Sequence, residues 1–208
     1  MKTKQKSSYN RLVTALSLLL SVLICLSCND MQHKKYSELT DNDYKHENDT
    51  ISGDTVYFKT AEIADEHQAF NKLNVQQEIF IKDCLTSADS LIRSYIHGVN
   101  INNYTPKTLD KLIDEWNVDS TKFQCEKEHF VNIVGFAFGQ YLVKEYHMYW
   151  TIVTDEEGKE YATKIDGVDF LNFPLNSVLK AIDQHREGSL NTISLLTKRD
   201  IEKLRNSK

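Results

Sequence analysis

The sequence predicts an α+β fold in which N-terminal helices pack on one face of a small antiparallel sheet of three or four strands. Three observations carry this. Between Asn74 and Gly98, Ile81, Leu85, Ala88, Ile92 and Tyr95 recur at helical spacing. The segment FVNIVGFAFGQYLV, residues 130–143, is apolar almost all the way round, as a central buried helix is. From Met148 the apolar period changes to two, so helices come first and strands afterwards.

The elements follow in order. Lys2, Lys4, Lys6 and Arg11 precede the apolar run Leu12 to Ser27, and together they read as the n-region and h-region of a secretory signal, residues 1–27. The run is short for a bilayer span, which needs about 20 apolar residues. Small Ser27 then precedes Cys28, which looks like the lipid acceptor of a bacterial lipoprotein signal. An uncleaved anchor helix with incidental cysteines is the competing reading. Residues 28–58 are polar and lack a helical period, so they are expected to form a flexible tether that carries the lipidated cysteine.

A single α+β domain is expected over 59–208. A weak helical segment, AEIADEHQAFNKL (61–73), leads to a helix capped by Asn74 with Gln77 three residues on and Gly98 as its stop. Thr105-Pro106 opens a second helix, with Leu109, Leu112, Ile113 and Trp116 inward. The central helix is expected from about Lys122 to Tyr146. MYWTIVT (148–154) and KEYATKI (159–165) flank the turn Asp155-Glu156-Glu157-Gly158 as a hairpin. Val168 to Phe173 reads as a third strand and Pro174 starts a helix stopped by Gly188. LNTISLL (190–196) offers a fourth strand before a short helix capped by Thr197.

Removing residues 1–27 takes four of the 25 Lys and Arg and none of the 30 Asp and Glu, leaving 21 basic against 30 acidic side chains, a net charge of −9 with His neutral. An acidic surface repels phosphate backbones, which argues against a nucleic-acid partner. Cys25 goes with the signal, leaving Cys84 and Cys125, which admit a disulfide closing a loop or two buried thiols.

Five of the seven glycines have ordinary duties in turns, helix ends and the tether; Gly135 and Gly139 lie inside the central helix, where each costs about 1 kcal/mol relative to Ala. They share a face apart from the main stripe, so a neighbouring element or a bound ligand approaches there. Tyr149 and Trp150 are cross-strand core residues if they point inward and a recognition surface if they point outward. Trp150 is assigned to the core, whereas both orientations stay open for Tyr149. Asp155, with Glu157, is the acidic candidate at the hairpin tip. No motif for a nucleophile, a phosphate loop, a cofactor or a metal is found in the sequence. His129 beside Glu126 and Glu128 is read as a charged helical start rather than a metal site.

The order of these motifs from Val75 to Asp183 resembles the bacterial family of the domain of unknown function 3806. The matching residues are Gly135, Phe138 and Gly139 in GFAFG, Trp150, Asp155 and Gly158 in WTIVTDEEG, and Pro174 in FPLNSVLK. Gln140 stands where an acid often follows the second glycine, and Ala181 where a basic residue is common. The resemblance implies the architecture and no activity. Separately, Asp49-Thr50-Ile51 and Asp54-Thr55-Val56, like Asp89-Ser90-Leu91, are similar to the Asp-Ser/Thr-apolar acceptor of an O-glycosylation system in some Gram-negative anaerobes.

The expectation is a lipid-anchored envelope protein, on the periplasmic or the outer face of the outer membrane, acting as a non-catalytic binding module. An immunity-type inhibitor of a basic toxin is one concrete form, since an acidic inhibitor steers such a partner inward. Its partners are then the bilayer, through acylated Cys28, and a protein. The rival is an envelope hydrolase using carboxylates at the 155–158 hairpin beside the glycine face.

Overall fold

A computed structural model of the chain describes residues 40–51, 53–61, 68–98, 105–156, 158–168 and 170–206. Its contacts divide the chain into two units, residues 1–45 with 60–65, and residues 46–59 with 66–208. In the first, Thr40 caps a short 3-10 turn, Asp41–Asp43, its backbone N–H and hydroxyl both donating to Asp43 Oδ2 at 2.7 Å. The signal segment and Cys28 lie outside the described residues. Among the described residues no helix is long and apolar enough to cross a membrane.

Strands β1 (Lys45–Ile51) and β2 (Asp54–Thr60) pair in a two-stranded sheet. After β3 (Ala69–Asn71) come α1 (Val75–Tyr95), α2 (Pro106–Val118), α3 (Lys127–Tyr146), β4 (Tyr149–Thr154), β5 (Lys159–Lys164), β6 (Leu171–Asn172), α4 (Pro174–Asp183) and α5 (Ser189–Asn206). The last four strands form one antiparallel sheet in the order β3-β4-β5-β6, and α3 packs on β4 and β5. The fold is α+β, with helices and sheet sharing one core.

Local sequence explains most of the boundaries. Asn74 accepts from Gln77 N at 2.9 Å while Gln77 Oε1 accepts from Asn74 N at 2.9 Å, a reciprocal cap that starts α1. Pro174 starts α4 and Pro106 starts α2, each with its fixed φ and no N–H to leave unpaired. Within α3, Phe130, Val134, Phe136, Ala137, Phe138 and Leu142 are fully buried. Each such large side chain contributes roughly 1.5–3 kcal/mol by burial.

Five expectations need correction. The polar stretch assigned to the tether contains the β1–β2 hairpin. In β2, Val56, Phe58 and Thr60 alternate inward with exposed Thr55, Tyr57 and Lys59, a period of two that its polar composition masks. Arg199 of α5 fastens this hairpin: its Nη1 lies 3.2 Å from Asp49 Oδ2 and its guanidinium carbon 4.7 Å from the Phe58 ring centre. Second, LNTISLL is not a strand. Leu190, Ser194, Thr197 and Ile201 are buried at intervals of four, three and four, so the segment runs as one stripe of α5, and Thr197 sits mid-helix. Third, the weak helical segment 61–73 contributes strand β3, residues 62–67 lying outside the described residues. Fourth, the central helix starts at Lys127 because Gln124, at φ 52°, ends a 3-10 turn over Ser120–Phe123. The third expected strand shortens to Leu171–Asn172.

The side of α3 that carries the glycines is filled. A Cβ on Gly139 would lie 2.1 Å from Trp150 Cη2 and 2.9 Å from Pro174 Cγ, and one on Gly135 would lie 2.9 Å from the Leu175 Cα. Asp110 on α2 makes a second long-range lock. Its Oδ1 accepts from Leu190 N at 2.8 Å and its Oδ2 from Asn191 N at 2.9 Å, so a buried carboxylate caps α5 from another helix.

Two predictions follow from these contacts. On an open helix face Gly139→Ala would stabilise by about 1 kcal/mol; here the clash with Trp150 makes it destabilising by about 1–3 kcal/mol. Urea unfolding gives the sign, and Trp150→Phe, which removes the clashing ring, recovers part of the loss in the double variant. For Asp110, burial pushes the carboxyl up from 3.8 to about 6, against the N–H groups of Asn191 and Leu190, with the Asp114 charge adding to the rise. Between those values the native chain holds a proton that the unfolded chain does not. This contribution to stability is therefore present near pH 4 and lost as pH rises through about 6. Asp110→Asn lowers stability at neutral pH and flattens that stretch of the stability–pH curve, as unfolding series at several pH values will read.

Candidate functional site

Alternation along β4 settles where its aromatics point. Trp150 faces α3, its ring centre 5.5 Å from that of Phe136. Tyr149 therefore points to the opposite side of the sheet, where it is 40% exposed. In register, Tyr149 pairs with Lys164 and Phe70 with Val153, which puts all four side chains on this face. Lys164 Nζ lies 3.6 Å from the centre of the Phe70 ring, itself 43% exposed. Lys164 thus reaches from beside Tyr149 to Phe70, across a face whose Thr151, Val153 and Ala162 are buried. Two exposed aromatic rings, with the Lys164 cation on one of them and its strand position beside the other, form the rim of the face. Slight desolvation raises the Tyr149 phenol above its ordinary value, and the Asp166 carboxylate, which accepts its proton in a hydrogen bond, raises it further. The phenol is therefore a neutral hydrogen-bonding group at any ordinary pH.

Phe70 and Lys164 were not among the sequence candidates. Lys164 was within reach, because the four-residue turn 155–158 sets the Tyr149–Lys164 pairing. Phe70 lay in a segment read as helical, which hid its strand register.

The other candidates occupy different places. Gly135 and Gly139 are covered by Leu175, Trp150 and Pro174, so the neighbour that approaches them is the protein itself. Trp150 lies in the inner cluster with Phe136, Tyr161, Ile81 and Cys84, away from Tyr149. Asp155 builds the hairpin turn: its N–H donates to Gly158 O and its Oδ1 accepts from Gly158 N, both at 3.1 Å. Glu157 lies outside the described residues. The disulfide between Cys84 and Cys125 is not formed; both are free thiols, one in the inner cluster and one against the main core. Burial, then the Asp83 charge, pushes the Cys84 thiol up to about 11, and burial followed by the Glu126 charge raises Cys125. Thr50 and Thr55, the acceptor-like threonines, are exposed on the β1–β2 hairpin, whereas Ser90 is inside α1 and donates to Thr86 O at 3.1 Å. Among the described residues no group of three or more His, Cys, Asp or Glu is placed to hold a metal ion.

An open depression of about 460 Å³ lies between the ends of α2 and α4, lined by Trp116, Asp119, Lys127, Asp183 and His185. Lys127 and Asp183 in its lining are paired with each other.

Residues 107–193 match the family described as domain of unknown function (DUF3806). That span carries α2, α3, β4 to β6, α4 and the start of α5, so over it the resemblance read from the motifs stands. No curated protein matches the chain. A crystal structure at 1.50 Å from Bacteroides thetaiotaomicron VPI-5482 is similar at a TM-score of 0.45 and 10% identity, over 72% of this chain and 69% of that one.

A cation on an aromatic ring that is not desolvated contributes only about 0.5–1 kcal/mol, and Lys164 is half-buried on a ring that is itself 43% exposed. Lys164→Met therefore changes unfolding free energy by no more than about 1 kcal/mol, which denaturant titration can verify, and remains a folded reagent for binding measurements.

Proposed function

We propose that this chain is an envelope lipoprotein, held to the outer membrane by lipid on Cys28. Its α+β domain is a non-catalytic binding module that receives a protein partner at the Tyr149–Lys164–Phe70 rim. The observation that carries the reading is Tyr149 standing outward at 40% exposure beside Lys164 and Phe70. Tyrosine offers a large apolar ring and a hydrogen-bonding tip with few rotors to freeze, which is why such residues dominate binding energy at interfaces. The lysine on the Phe70 ring adds a charge whose partner side chain must be an acceptor.

The inner side of the sheet supports this placement from the opposite direction. Trp150 and the start of α4 occupy the glycine face, where a catalytic cleft would have to open, and Asp155 is engaged in its turn. The acidic balance of residues 28–208 adds long-range attraction for a basic protein, which suits an immunity-type inhibitor.

Capture from an envelope extract tests the binding face. The wild-type chain is expected to retain a stoichiometric protein that Tyr149→Ala and Phe70→Ala each lose, with single-residue losses of at least tenfold in affinity. Equal recovery by both variants would place the interface elsewhere, and recovery of nothing by any chain would sink the binding reading. The anchor is tested separately: metabolic labelling with a fatty-acid analogue should mark the wild-type chain and leave Cys28→Ala unlabelled and unprocessed.

A further inference from the structure

The inner face of the sheet carries a row of polar atoms that the protein leaves unpaired. Trp150 on β4 pairs in register with Thr163 on β5, and Thr163 with Asn172 on β6, so the three side chains are cross-strand neighbours on one face. Trp150 Nε1, Thr163 Oγ1 and Asn172 Oδ1 are each buried and without a hydrogen-bond partner. Thr163 is 0% exposed and Asn172 8%. Thr154 Oγ1 is also unpaired but stands beside Lys159, outside the row.

Such atoms are normally satisfied in folded proteins, and a cluster of them in the interior calls for a partner. The Asn172 amide engages Thr197 Oγ1 through one end only, Nδ2 at 3.4 Å. Exchanging its nitrogen and oxygen would leave the other end unpaired in turn, so orientation alone does not resolve the row.

We propose that this row binds internal water, with at least one molecule bridging Thr163 Oγ1 to Trp150 Nε1 or to Asn172 Oδ1. The chemistry selects water. The indole offers only a donor, the amide oxygen only an acceptor, and the hydroxyl between them can do either. Water that accepts from Nε1–H, donates to Oδ1 and bonds the hydroxyl between them satisfies the row, as one molecule or as two. Buried waters make about three bonds of this kind. Opposite side chains on paired strands stand about 4.5–5.5 Å apart at Cβ, a span that one water bridges between Trp150 and Thr163 or between Thr163 and Asn172; Trp150 and Asn172, with β5 between them, stand about twice as far apart. An anion would meet the carbonyl oxygen, and a metal ion the N–H. The bound water would extend the Asn172–Thr197 contact into one polar lane, tying β4, β5 and β6 to α5.

A crystal structure of the full chain, at a resolution that shows ordered solvent, tests this directly. The expected result is a solvent peak about 2.7–3.2 Å from at least two of the three atoms. A row closed by protein partners, or packed without solvent, would overturn the proposal. Thr163→Val, of the same shape without the hydroxyl, gives an independent sign. If water is bound, the variant strips it of a partner and Tm falls by roughly 2–4 °C. In a dry row the same change removes an orphaned hydroxyl, so an equal or higher Tm would reject the site. Should Thr163→Val fail to fold, the solvent peak in the wild-type crystal still decides.

Discussion

The rest of the structure depends on how closely the glycine side of α3 is approached. Two glycines in the middle of a helix sacrifice about 1 kcal/mol each in helix propensity, yet any side chain there would meet Trp150, Pro174 or the Leu175 backbone within 3 Å. Their absence of a side chain lets one helix serve as the packing centre for a strand and for the first turn of α4 together. That contact also fixes the orientation of β4. Once Trp150 is drawn onto Gly139, the two-residue period of a strand sends Tyr149 to the far face, and the antiparallel register brings Lys164 beside it. The surface residue owes its position to the buried one.

The helices added after the sheet are held by polar contacts of a different kind. Asp110 spans from α2 to the first N–H groups of α5, where unsatisfied donors and the helix dipole favour a carboxylate even though burial opposes its charge. The Tyr146 hydroxyl adds a bond from α3 to Ser194 O at 3.0 Å. Arg199 then links α5 to the hairpin through Asp49 and Phe58. α5 is thus tied to α2, α3 and the hairpin by groups separated in sequence by 48 residues or more.

The helical half of the fold was legible because its signals are local. Asn74 with Gln77, Pro106 and Pro174 announce helix starts through chemistry confined to one turn, and the all-round apolarity of residues 130–143 states the burial of α3 without any partner. The β4–β5 hairpin was legible through its turn. The misread segments share a physical cause: two periods compete over few residues. LNTISLL alternates well enough for a strand, and only the continuation to Thr197 and Ile201 reveals the helical stripe. The β1–β2 hairpin has one buried residue near its turn on each strand, Ile51 and Val56, and its charged flanks swamp that signal in composition. At the site, the sequence could name Tyr149 and leave its direction open. Direction needed the knowledge that Trp150 fills the glycine face, a contact between residues 11 apart in sequence but on different elements. Phe70 needed strand β3, which a polar and weakly helical context concealed.

This division separates stability from recognition in a way that can be argued from geometry alone. Inward residues of β4 and β5 meet α1, α3 and α4, so a change there disturbs the core before it can alter any surface. Outward residues at the rim contribute little to folding: Tyr149 and Phe70 are each less than two-thirds buried and Lys164 rests on a ring at the surface. A chain under selection for folding alone has weak reason to keep two part-exposed aromatic rings and a lysine in register on such a rim, where shorter polar side chains would serve equally well. Their joint presence on one face, positioned by a contact on the other, is the ground on which we propose the rim as a binding face.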